Sequence, residues 1–62
     1  MVLIGKKFKT STGYMVEVFK ITGSVLSCYQ LNEYAERISE KKLLGDGYKV
    51  CIINKDKIIE EI

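Results

Sequence analysis

The chain holds two cysteines, Cys28 and Cys51, and no histidine. Those facts bound most of the covalent chemistry open to it. Without imidazole, the commonest general base and the commonest zinc ligand are both missing. No Ser–His or Cys–His nucleophile can be assembled from one copy. Two thiolates alone do not complete a tetrahedral zinc site. Cys28 and Cys51 each lie inside an apolar, strand-like run. They read as two reduced, buried small hydrophobes. The sharper alternative is a disulfide between neighbouring strands, which would close the intervening loop and add ~3 kcal/mol.

The other reactive types add little. Glu33, Glu36, Glu40, Glu60 and Glu61 could supply a carboxylate pair, but nothing in the sequence places them in a cleft. They read as solvated. Gly45-Asp46-Gly47 lacks the later glycine and the lysine of a phosphate-binding loop. Thr10, Ser11, Thr12, Thr22 and Ser24 cluster at turn signals, where hydroxyls cap backbone groups. The expectation is a protein that is not an enzyme, with no catalytic residue, no cofactor and no metal.

Two sets of residues remain as binding candidates. Lys6, Lys7 and Lys9 surround Phe8 and precede Tyr14. Lysines beside an aromatic can contact phosphates while a ring stacks on a base. The plainer reading is an edge strand whose lysines discourage edge-to-edge pairing. The second set is Tyr14, Tyr29, Tyr48, Ile58, Ile59 and Ile62. With Met15, Phe19, Tyr34, Leu43 and Leu44 they exceed what so small a body can bury. Tyrosine is enriched at protein interfaces, although small proteins necessarily expose some apolar atoms.

Composition frames these choices. A chain of 62 residues is at most one domain, taken as 1–62. The core of such a domain is typically worth only ~3–5 kcal/mol net. Yet 47% of the residues are hydrophobic, and no metal or disulfide is evident as a staple. A symmetric homodimer serves both facts, with Ile58, Ile59 and Ile62 as the favoured surface. The net charge of +2 and pI near 8.6 are only weakly basic. Nucleic-acid-binding domains usually exceed a pI of about 9. The first third of the chain is net positive, the middle third negative and the last weakly positive. The longest apolar run, Val50-Cys51-Ile52-Ile53, is too short to span a bilayer. The expectation is a cytoplasmic protein without a membrane partner.

Several elements can be read from pattern. Ser11-Thr12-Gly13 and Thr22-Gly23-Ser24 are hairpin turns. They separate strands over 2–10, 14–22 and 25–30. In the second strand Val16 and Val18 share one face while Phe19 and Ile21 share the other, which calls for a bulge or a curl. Residues 48–53 are apolar on both faces and read as a central strand. Asn54 to Lys57 is a polar loop, and Ile58 to Ile62 a last short strand. The segment 32–44 is predicted to be a helix. Leu31, Tyr34, Ala35 and Ile38 make a stripe, Asn32 caps, and Gly45 terminates. An extended 34–40 is the alternative. The fold class is then α+β, a small antiparallel sheet of order β-β-β-α-β-β, with an all-β SH3-like small barrel as the alternative. The function expected is a non-enzymatic protein-binding module of inhibitor or adaptor type. It is comparable in size and composition to the accessory binders that phages and mobile elements encode, and it acts on a protein partner as a homo-oligomer. The alternative is a nucleic-acid-binding regulator using Lys6, Lys7 and Lys9.

Overall fold

The glycine turns set the first three strands. In the computed structural model, which describes residues 4–40 and 47–62, Gly13 and Gly23 take φ of 89° and 60°. A side chain rarely adopts such angles, so glycine allows the chain to reverse there. β1 (Lys7–Thr10), β2 (Met15–Thr22) and β3 (Val25–Leu31) form an antiparallel meander. Thr10 ties its turn: its hydroxyl donates to the Tyr14 carbonyl at 3.1 Å and lies 2.8 Å from the Thr12 hydroxyl. β4 (Val50–Asn54) pairs with β3, and β5 (Ile58–Glu61) pairs with β1. A single 3₁₀ turn, Lys55–Lys57, joins them, with the Asn54 side chain capping the Asp56 amide. The sheet order is β4-β3-β2-β1-β5, antiparallel throughout.

The conflict in β2 is resolved by a bulge. Val18 faces Cys28 and Lys20 faces Ser27, so Phe19 is the extra residue. After it, Ile21 returns to the face of Val16 and Val18. That face is the core, built on Phe8, Val16, Val18, Leu26 and Cys28, all at most 3% exposed. Ile21, Cys51, Ile53 and Ile58 pack against it from the rim.

Three expectations need correction. The described part of the supposed helix, 32–40, is not helical, and 41–44 lie outside the described residues. The sheet-rich, all-β alternative therefore fits better than α+β. Asn32 does cap, but it caps a turn: its side-chain oxygen accepts from the amides of Tyr34 and Glu36. Ala35 then adopts a left-handed φ of 59°, which ends any helical path. From Arg37 the chain runs extended, bridging Leu31 through Arg37 and Tyr48 through Ser39. Second, the strand at 50–54 is not central but an edge. Cys51 and Ile53 face the core, while Val50 and Ile52 are 41% and 71% exposed. Third, the lysines of β1 do not guard an edge, because β1 lies between β2 and β5. No helix among the described residues is long and apolar enough to cross a membrane.

Candidate interaction surface

On the face opposite the core, registered pairing sets Lys7, Glu17, Tyr29 and Val50 side by side across four strands. The turn at 32–36 folds toward this row and delivers Arg37 to it. The Arg37 guanidinium donates to both Glu17 carboxylate oxygens, Nε at 3.1 Å and Nη2 at 2.8 Å. The same group lies over two rings, 4.3 Å from the centre of Tyr29 and 5.1 Å from that of Tyr48. The bulge turns Phe19 against Tyr29, with ring centres 4.5 Å apart, and Tyr48 meets Tyr29 edge-on at 5.5 Å. Lys7 extends the network by donating to the Ala35 carbonyl at 2.8 Å. A cation thus lies over two of three clustered aromatic rings and is anchored by a carboxylate.

The electrostatics follow from the geometry. The hydrogen bonds from Arg37 hold the Glu17 carboxyl below the usual carboxylate range, against the opposing effect of its partial burial. The charge of Arg37 is reinforced by Glu17 in turn. A carboxylate whose pKa is lowered on folding stabilises the protein above its unfolded pKa and loses that contribution as pH falls through the folded value. Replacing Arg37 with Ala is therefore expected to lower stability modestly at neutral pH. The difference from the parent should shrink in acid, below the ordinary carboxylate range. Arg37→Lys keeps the charge but not the two-pronged geometry and should recover only part of the loss. Urea titrations at neutral and acid pH measure both effects. An equal Arg37→Ala penalty at the two pH values would separate Arg37 from Glu17.

The other candidates are placed as follows. Tyr29 and Tyr48 join this cluster, whereas Tyr14 stands apart and 53% exposed beside the first turn. Ile58 packs on the core, and Ile59 and Ile62 are largely exposed. The basic run is not a free row of charge. Lys6 lies 3.9 Å from Glu61 and Lys9 lies 3.8 Å from Glu60, while Lys7 is turned toward Ala35. Glu17 and Arg37 did not stand out in the sequence. Glu17 sits at the outward parity of β2, but the approach of Arg37 depends on a turn that the helical stripe conceals. No group of three or more possible metal ligands occurs among the described residues. Comparison of the chain with protein-family models, with curated proteins and with solved structures gives no match, so the surface must be read from its own geometry.

Proposed function

We propose that this protein is a non-enzymatic protein-binding module, built as a small, partly open SH3-like barrel and acting as a symmetric dimer joined along β4. The observation that carries this reading is a strand with the composition of a sheet centre standing at a sheet edge. β4 reads Val-Cys-Ile-Ile-Asn, without a charge over its length. Natural edges are usually blunted by lysine, proline or a bulge. β5 carries Glu60 and Glu61 beside Lys9 and Lys6, but β4 carries no such guard.

The register tells which backbone groups are open. Gln30 donates to the Lys49 carbonyl at 2.9 Å, so Gln30–Lys49 is a hydrogen-bonded pair. Alternation then makes Cys28–Cys51 and Leu26–Ile53 hydrogen-bonded pairs too, and turns the N–H and C=O of Val50 and Ile52 away from β3. A second β4 running antiparallel about a two-fold axis meets those groups with identical ones. It also sets Ile52 against its symmetry mate. An uncharged strand is self-complementary in this way, which favours a second copy over a foreign strand. Removing apolar surface from water at ~25 cal/mol per Å² supplies the driving force, less the cost of association. The joined sheet would present the Tyr29, Tyr48 and Arg37 face twice, and tyrosine and arginine are favoured anchors for a protein partner. The engaged lysines make the nucleic-acid alternative the weaker reading.

Sedimentation at micromolar concentration tests the dimer. The expected mass is twice 7.1 kDa. Ile52→Lys should return the protein to monomer with its circular dichroism unchanged, while Ile59→Asp should leave the dimer intact. A single-chain mass that persists on concentration refutes self-association. Dissociation by Ile59→Asp but not Ile52→Lys would move the interface to β5.

A further inference from the structure

Cys28 and Cys51 are directly opposite each other on β3 and β4, so their side chains leave the same face of the sheet. The two differ in setting. Cys28 is fully buried among Val16, Val18 and Leu26, whereas Cys51 is half-buried at the rim of the core. From this juxtaposition we infer that the pair is a reversible dithiol site, modified by low-molecular-weight disulfides, in which Cys51 attacks and Cys28 resolves. Both thiols leave the core side of the sheet; in the proposed dimer Ile53 of the second copy would stand beside Cys51 there, so the test is run on the Ile52→Lys variant as well as on the parent.

The roles follow from accessibility and from local charge. An incoming disulfide can reach Cys51 at the rim, but it cannot reach Cys28. The neighbouring Cys28 thiol, as a hydrogen-bond partner, and the positive charge of Lys49 favour the Cys51 thiolate, against the effect of burial. The same hydrogen bond and the burial push Cys28 the other way, so it keeps its proton until Cys51 has reacted. The thiolate, not the thiol, is the nucleophile.

The exchange balances in two steps. The Cys51 thiolate attacks one sulfur of a disulfide RSSR, forming Cys51–S–SR and releasing RS⁻. Cys28 then loses its proton to solvent and attacks the Cys51 sulfur. The Cys28–Cys51 bond forms as the S–SR bond breaks, and a second RS⁻ leaves. Two protein thiols are oxidised and one small disulfide is reduced to two thiols. The position in the ladder makes the product labile. Cα atoms of a hydrogen-bonded antiparallel pair are about 5.5 Å apart, inside the range a disulfide spans, but the Cβ atoms must draw closer than the pair's resting separation. A strained bridge of this kind is reduced more readily than a structural one.

Oxidised glutathione provides the test. Native protein is incubated with it near neutral pH, quenched with acid and weighed intact. The expected product is about two daltons lighter than the reduced chain, retains no glutathione, and reverts with excess reduced glutathione. Cys28→Ala should accumulate a stable glutathione adduct at Cys51, and Cys51→Ser should react slowly or not at all. Because Cys28→Ala removes a core group, a second measurement avoids variants: limiting iodoacetamide on the unaltered native protein, followed by peptide mapping. Cys51 should be labelled at least about tenfold faster than Cys28. Equal labelling of the two thiols, or an oxidised product in which the bridge joins two chains, would overturn the assignment.

Discussion

Replacing Leu26 with Ala is expected to leave a substantial fraction of the protein unfolded in the absence of denaturant. Leu26 is fully buried. It stands opposite Ile21 on β2 and Ile53 on β4, so it is the point where the bulged strand and the edge strand share one core. Truncating a buried leucine removes its transfer free energy and leaves a cavity, together about 3–4 kcal/mol. The remainder of this core has little room to collapse into the gap, because the other large, fully buried side chains among the described residues are Val16, Val18 and Cys28. A domain of this size holds only ~3–5 kcal/mol in total, so the loss approaches the whole. Val25, the preceding residue on the same strand, is 40% exposed, and Val25→Ala should cost no more than about 0.5 kcal/mol. Urea unfolding followed by circular dichroism compares them. Similar midpoints for the two variants would mean that β3 presents its other face to the core.

Most of the sheet was legible from turns and β-rich runs, but the apolar residues on both parities of 25–31 did not say that Leu26 and not Val25 is buried. Gly13 and Gly23 marked both early turns, and the clash between Val18 and Phe19 marked the bulge. What misled was the stretch after Leu31. Its stripe of Leu31, Tyr34, Ala35 and Ile38 matches a helix, but the match is spent on other ends. Leu31 is buried at the end of β3, Tyr34 is 74% exposed, and Ile38 lies in an extended segment. A capping asparagine has the same local chemistry whether it opens a helix or closes a short turn. Only the residues beyond it decide, and here Ala35 goes left-handed while the next residues find partners on β3 and before β4. The same tertiary pairing explains why Arg37 escaped notice. It is twenty residues from Glu17 and reaches it only because that turn folds back. Two-sided apolarity at 48–53 was read as burial, when half of it belongs to an exposed edge.

That turn makes the second large effect. Ile38→Pro is expected to cost about 2 kcal/mol. The Ile38 amide donates to the Gln30 carbonyl at 3.1 Å, and the Ile38 carbonyl accepts from the Lys49 amide at 2.9 Å. Gln30 in turn donates to the Lys49 carbonyl at 2.9 Å, so one residue links the end of β3 to the approach to β4. Proline deletes the donor and leaves the Gln30 carbonyl without it, while its ring crowds the junction. Ile38→Ala retains the amide and should cost less, since the side chain is only half-buried. Hydrogen exchange supplies the local readout. The Lys49 and Glu40 amides, bonded to Ile38 and Gly47 respectively, should lose protection before the amides of β2 do. A proline within a helix would also be costly, so the decisive comparison is Ala35→Gly. Inside a helix that change would destabilise by about 1 kcal/mol. At a φ of 59° it relieves a strained backbone instead, and stability should hold or rise slightly. A clear loss of stability in Ala35→Gly would restore the helical reading of this segment and remove the placement of Arg37 over Tyr29 and Tyr48 with it.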